Sequence, residues 1–366
     1  MTLALAGAGL SAEVRGEGPP KDSARTLEVL LDVARSPSGA GLVAVLRRPA
    51  EAKGLEVGAL LLAGPDDTVG RWVRLGSPGP CLAAGVGMTD EAAVVGCIRA
   101  GSLQVFSYRL ESGQQSSWAI PGVRQRPALG RGPDGGLFLA WLEEEAGSAR
   151  LQVQALDRHG DRSGTPWSIG LGRTAPRDLS LLATERGDLH ALWSESASGG
   201  GDSPQKSLRG CDLVAARAAG AGECSVAAMR PEERVPSWWS SACSGAACWV
   251  LWFDGALRVR SLDLQAYPAR EPVVVEARPG GTVRLPTLAA TQTGAVAVWN
   301  DSLGSGAGGS WELRAQGVGS RADAVTVLAK SDRPQDSPRV RAAGANADVL
   351  VAWIAESGTV AHRFLR

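Results

Sequence analysis

Short apolar runs alternate with polar turns along the whole chain, and one run keeps returning with a tryptophan at its end. It reads Leu139-Ala140-Trp141, Ala191-Leu192-Trp193, Val250-Leu251-Trp252, Ala297-Val298-Trp299 and Val351-Ala352-Trp353. Successive tryptophans lie 52, 59, 47 and 54 residues apart. Spacing of this size marks one supersecondary unit copied along a chain, each copy completing its core against the next. With the tryptophan relaxed to another small or apolar residue, the run extends upstream to Val94-Val95-Gly96-Cys97 and Val43-Ala44-Val45-Leu46, giving seven units. Pro80, Pro127, Pro176, Pro236, Pro286 and Pro338 precede the end of the run by 13 to 17 residues, where proline suits the first residue of a strand. In three copies a further tryptophan follows about half a unit later, at Trp72, Trp118 and Trp167.

Within a unit the pattern predicts four short strands. The clearest copy runs from Pro127 to Leu129, turns at Gly132 to Gly136, continues from Leu137 to Leu142 and from Leu151 to Leu156, and ends with Trp167 to Leu171. Period-two alternation with Gly, Pro and Asp punctuation indicates antiparallel strands, and no stretch carries a sustained helical stripe. Four-stranded units repeated at this spacing are the blades of a β-propeller. The expected fold is all-β: a seven-bladed propeller with four antiparallel strands per blade, filling 1–366 as one domain. Its blades fall at about 26–76, 77–123, 124–173, 174–233, 234–282, 283–333 and 334–366. The last unit has room for only three strands before Arg366, so the segment Leu10 to Arg15 is expected to close the ring as the outer strand of blade 7.

Charge adds an exclusion. The 38 basic and 38 acidic residues cancel, which leaves no basic field for nucleic acid and no polybasic membrane patch. Only four of the basic residues are lysine, a skew that follows GC-rich codon usage, so the many arginines are not read as phosphate recognition. No apolar run reaches the 18 residues of a membrane helix. Thr2 to Ala12 is apolar and ends in small residues like the tail of a signal peptide, without a basic leading region.

The six cysteines bear on the compartment. Folding the hairpin about Thr89 brings Cys81 opposite Cys97, and Cys243 and Cys248 flank the turn Ser244 to Ala247. Opposed strand residues have Cα atoms about 4.5–5.5 Å apart, within reach of a disulfide. Cys211 and Cys224 remain as a third pair by elimination. A zinc reading lacks both CxxC spacing and nearby histidine. Oxidised hairpins imply a periplasmic or extracellular protein.

Candidate ligand groups come from the position two residues after the tryptophan: Glu143, Glu195, Asp254 and Asp301, with Glu356 displaced by one and Arg47 and Arg99 at the corresponding places in blades 1 and 2. This position ends the second strand of each blade, so the seven side chains ring one face of the disc. Two readings stand open. The ring could bind a cation or a basic ligand, or each carboxylate could accept backbone N–H groups of its own turn, as short acidic side chains do. Copying in most blades favours the second. The repeated tryptophans are expected between blades, but Trp238 and Trp239 are adjacent and cannot share one packing layer. Trp239 and Trp311, the latter after a Gly-rich loop, are therefore added as ligand candidates.

The phrases Pro286-Thr287-Leu288-Ala289, Val296 to Asp301 and Leu151 to Asp157 followed by Gly160 resemble the secreted bacterial propellers built from sialidase-like repeats. The resemblance covers Pro80 to Arg366 as a pattern. It implies a propeller fold and an extracytoplasmic setting. Sialidases proper carry Asp boxes of the form Ser-x-Asp-x-Gly-x-x-Trp, and this chain has none; its two tyrosines, Tyr108 and Tyr267, sit in no recognisable motif. Nucleophile elbow, HExxH, Walker and calcium-loop motifs are likewise absent from the sequence, and His159, His190 and His362 fall in different units. The expectation is a monomeric binding scaffold for a protein or glycan, with no catalytic residues, metal or cofactor assigned. The alternative is a carbohydrate-active hydrolase or lyase using paired carboxylates, with Glu143, Glu195 and Asp254 as nearest candidates.

Overall fold

A computed structural model shows seven antiparallel sheets arranged as a seven-bladed β-propeller. It describes residues 27–365 except 49–54, 68, 77–78, 133, 146–147, 172–175, 185–186, 197–205, 221–225, 228–237, 245–246, 263–271, 276–281, 292, 303–309, 320–323, 333–335, 343–347, 356 and 358. Blades 1 to 6 each have four strands paired in sequence order, and blade 7 has three among the described residues. The first strands are Leu27–Arg35, Ala83–Met88, Ala128–Arg131, Pro176–Ala183, Trp239–Ser244, Val283–Ala290 and Asp336–Ala342. Each lies against the first strand of the next blade, and the seventh lies against the first, so they wall a central channel.

The second strands carry the apolar run: Gly41–Arg48, Ala92–Arg99, Leu137–Glu145, Leu189–Ser196, Ala247–Phe253, Ala295–Ser302 and Val349–Ile354. Sheets covered on both faces need apolar residues at consecutive positions, which explains these runs. Trp193, Trp252 and Trp299 are among the largest fully buried side chains, and Trp141 and Trp353 are buried too. Fully burying an indole stabilises by about 4–6 kcal/mol at most on area grounds.

The half-unit tryptophans lie on the outer strands Arg71–Arg74, Gln115–Pro121 and Arg162–Gly170, each beneath an arginine. Arg47 stacks on Trp72 at 4.9 Å, Arg162 of blade 3 on Trp118 of blade 2 at 3.9 Å, and Arg217 on Trp167 at 4.5 Å. The last two join neighbouring blades. Blades 2 and 3 are also joined by the loop from Asp157 to Asp161, whose Arg158 carbonyl accepts from Thr89 Oγ1 at 2.6 Å and whose Asp161 pairs with Arg109 at 2.7 Å. Gly160 turns that loop at φ +80, and a Cβ there would stand 2.7 Å from Val94 Cγ2.

Blade 7 meets blade 1 through a mixed core of Leu30, Val43 and Leu60 with Leu350, Ala352 and Ile354. Glu28 accepts from the Val360 amide at 2.7 Å, Arg339 donates to the Leu31 carbonyl at 3.3 Å, and Arg35 covers the Phe364 ring. The segment Leu10 to Arg15 lies outside the described residues.

Two disulfides join the expected partners. Cys243 and Cys248 are directly opposed with Cα atoms 4.1 Å apart. Cys81 pairs with Cys97 at 5.6 Å, although it precedes its strand and Ala84 is the residue opposite Cys97. Cys211 is buried and disulfide-bonded; Cys224 lies outside the described residues. Among the described residues one short helix, Leu213–Ala219, departs from the all-strand pattern. Asp212 caps it by accepting from the amides of Val214 and Ala215, and Gly220 ends it at φ 61. This Asp and Gly pair around an alanine-rich run is the usual start and stop of a helix, but seven residues are too few to show as a stripe.

Candidate binding site at the channel mouth

The Trp-plus-two positions do lie at one end of their sheets. Strand register sets Glu28 opposite Arg47, Pro176 opposite Glu195 and Val283 opposite Asp301, so the second strands finish where the first strands begin. Asp254 accepts from the Ala256 amide of its own turn at 3.4 Å, as turn capping requires, but side chains also hold these carboxylates. Residues two apart share a strand face, and the indole N–H reaches along it. Trp141 donates to Glu143 at 2.9 Å, Trp193 to Glu195 at 2.7 Å and Trp252 to Asp254 at 3.2 Å.

The residue facing the tryptophan on the third strand completes each set. Gln152 donates to Glu143 at 2.7 Å, Arg209 pairs with Glu195 at 3.4 Å and Arg258 with Asp254 at 2.9 Å. In blade 6 the fully buried Asp301 is held by Arg314 at 3.0 Å. In blade 1 the charges are reversed: Arg47 pairs with Glu56 at 3.1 Å. Arg99 donates to Gln104 at 3.3 Å and to the Gly79 carbonyl at 3.0 Å, and burial pushes its guanidinium below the usual arginine value. Glu356 lies outside the described residues. Trp311 opens the third strand of blade 6, Trp311–Val318, half-buried under Arg284 at 5.2 Å. Every described member of this series is thus engaged within its own blade.

A different set converges on the channel. A cavity of about 530 Å³ opens between the first strands and is lined from all seven blades. Its apolar wall includes Val86, Leu129, Leu179, Leu181 and Leu285; its polar groups include Asp32, Arg126, Arg177, Asp178 and Arg339. Trp238 and Trp239 complete one side. Trp239 is half-buried and packs with Leu182 and Leu192, whereas Trp238 is 56% exposed. Of the ligand candidates taken from the sequence, only Trp239 lines this cavity.

Backbone irregularity places these groups. Strand pairing slips at Leu30/Asp32, Arg177/Ser180, Arg284/Thr287 and Asp336/Arg339, all on first strands facing the channel. Bulges of this kind re-aim side chains. Asp178 and Leu285 sit in the left-handed region at φ 56 and φ 51, which costs on the order of 1–3 kcal/mol for a residue with a Cβ. Two of the three described non-glycine residues with positive φ therefore line one cavity.

Arg126 reaches across to the buried Asp32 at 2.6 Å and to the Ala84 carbonyl at 2.6 Å. Asp32 also accepts from the Val33 amide at 2.9 Å, and Asp178 accepts from Ser194 Oγ at 2.9 Å. Arg177 is held through one nitrogen, Nη1, which contacts Glu144 at 2.6 Å and the Pro176 carbonyl. Serines stitch the wall, Ser241 to Ser180 at 2.8 Å and the Leu288 amide to Ser240 at 3.2 Å. Among the described residues no group of three His, Cys, Asp or Glu could hold a metal ion. No described helix is long and apolar enough to cross a membrane.

The fold and this cavity define the class, a seven-bladed β-propeller with a channel-mouth cleft. No family model matches the chain, and no curated protein matches its sequence. Among solved structures, the Dos1 propeller is similar over 93% of this chain and 94% of its own, with TM-score 0.54 and 9% identity. A prolyl endopeptidase aligns over 94% of this chain with TM-score 0.55 and 12% identity, but this chain spans only 47% of that protein. The α-L-arabinanase of Penicillium chrysogenum, solved with arabinobiose, is similar over 92% of this chain and 93% of its own, with TM-score 0.50 and 12% identity. At these identities the likeness establishes the fold.

Proposed function

We propose that this chain is an extracytoplasmic recognition propeller of the sialidase-like repeat type, binding a protein or glycan at the mouth of its channel. The observation that carries the reading is the division of labour among polar groups. The repeated carboxylates are each taken up by an indole or a cross-strand partner, while the exposed Trp238 and the partly exposed Arg126 and Arg177 gather on one cavity. The disulfides support a periplasmic or extracellular setting.

The competing reading, a carbohydrate-active hydrolase or lyase, draws on the arabinanase likeness and needs paired carboxylates across a pocket. Glu143, Glu195 and Asp254 belong to three different sheets, and the two carboxylates in the cavity, Asp32 and Asp178, are tied to Arg126 and Ser194. The test is a glycan array beside a pull-down from envelope extract, run with wild type, Trp238→Ala and Glu195→Gln. Recognition at the mouth predicts binding lost in the first variant and kept in the second. A glycosidase or lyase activity abolished by Asp178→Asn or Asp32→Asn at unchanged melting temperature would replace this reading with the enzymatic one.

A further inference from the structure

We infer that the channel mouth takes an extended acidic peptide, inserting one apolar side chain into the channel and setting a flanking carboxylate against Arg177. The inference rests on recognition at this mouth and narrows it from protein or glycan to one chemistry.

The apolar part of the lining argues first. Val86, Leu129, Leu179, Leu181 and Leu285 line the cavity beside the hydroxyls of Ser180, Ser240, Ser241 and Thr287. A leucine- or phenylalanine-sized side chain would replace water against those five residues. Leu285 is held in this wall in a left-handed conformation that leucine rarely adopts. Conformational strain of this kind persists where the surrounding structure over-determines it and gathers at ligand clamps.

The mouth argues next. Three arginines line it, from blades 3, 4 and 7, and the Arg126 and Arg339 guanidiniums both turn to blade 1, on Asp32 and on the Leu31 carbonyl. Two carboxylates, Asp32 and Asp178, stand among them, and Arg126 already answers Asp32. The Arg177 guanidinium is half-exposed and bonded through Nη1, leaving its Nε and Nη2 donors for a ligand. Guanidinium forks bind carboxylates bidentately. Trp238, exposed on the same rim, offers a flat face to a peptide backbone or side chain at little entropic cost. An acidic chain with an apolar residue beside a carboxylate satisfies wall and rim together.

The test is display selection of short random linear peptides on the full chain, followed by affinity measurement of synthetic copies. Enriched peptides should carry Asp or Glu beside an apolar residue. Replacing their acids by Asn and Gln, or the receptor's Arg177 by Gln, should each weaken binding at least about tenfold, and raising salt from roughly 0.05 to 0.5 M should weaken it further. Trp238→Ala supplies a second variant at an exposed site, with the melting temperature as a folding control. No enrichment, enrichment without acidic residues, or binding indifferent to Arg177→Gln and to salt would overturn the inference. In those cases a glycan that binds wild type and is lost with Trp238→Ala would keep recognition at the mouth standing, and no ligand of either kind would remove both.

Discussion

The Trp-plus-two ring and the channel mouth occupy the same end of the disc, yet they are built on opposite terms. In the ring, one device recurs in blades 3, 4 and 5: indole N–H to carboxylate, with a cross-strand Gln or Arg closing the set. In the mouth an arginine adjoins the marker proline in three blades only, strand pairing slips, and two residues accept left-handed backbone. Repetition satisfies a need that every blade has, which is to hold its own second and third strands together. A ligand meets the ring of blades once, so the groups that touch it are free to differ.

The largest effect should come from breaking the ring device. Trp193 is fully buried and bonded to Glu195, so Trp193→Ala should destabilise by about 3–5 kcal/mol, measured by chemical denaturation. A loss under about 1 kcal/mol would mean that the repeated tryptophans are not what binds blade to blade. The disulfides come second. Reducing Cys81–Cys97, separated by 16 residues, should cost about 3 kcal/mol, and reducing Cys243–Cys248, separated by 5, about 2 kcal/mol. Peptide mapping of the native protein without reductant should recover both pairs, and free thiols at these positions would remove the compartment argument.

The scaffold could be read from the sequence because its constraints are copied. Seven-fold recurrence of the run in Val43 to Leu46 and its successors, with the strand-opening prolines, gave the blades and strand order. The ring acids could also be found, but not their bonds, since the indole acceptor role depends on Trp and acid sharing a strand face and on a partner one strand away. The mouth was hidden for a different reason. Arg126, Arg177 and Arg339 each adjoin a marker proline, Pro127, Pro176 and Pro338, but the other three marker prolines have no arginine neighbour, and the sequence does not show that these side chains meet in one cavity. Bulges at Asp178 and Leu285 leave no local signature, because aspartate takes positive φ only occasionally and leucine rarely. Trp238 was visible only as half of an adjacent pair, and which indole turned outward was settled by strand register.

Smaller effects separate ring from mouth more sharply. Glu143→Gln, Glu195→Gln and Asp254→Asn should each cost about 0.5–2 kcal/mol, since an amide keeps an acceptor for the indole but gives up the charge. Ligand binding should survive all three; its loss would move the site to the ring. In the same second strand of blade 4 the buried His190 is held below its ordinary value, mainly by burial, against the opposing pull of Asp212 and Asp188. Its imidazole is protonated more readily in the unfolded chain, which therefore binds more protons as the pH falls below about 6.5. The contribution to stability is intact above that pH and is lost as the pH drops toward the folded-state value. A His190→Gln variant should show a flatter fall of melting temperature between about pH 7 and 5, and an unchanged slope would assign the acid sensitivity to other groups.

The smallest expected change in stability is the most informative one. Trp238 is exposed at the rim and Arg177 is half-exposed, held through one nitrogen by an exposed Glu144. Substitutions of exposed groups outside packed or networked sites stay within about 0.5 kcal/mol, so Trp238→Ala and Arg177→Gln should melt with wild type. If the mouth is where the protein meets its ligand, the same two changes should produce the largest losses of binding. Stability and binding would then rank the two regions in opposite orders. Should Trp238→Ala instead lower the melting temperature as far as Glu195→Gln does, this indole would be packing rather than recognition, and the distinction between a repeated scaffold and an unrepeated site would fail at its clearest residue.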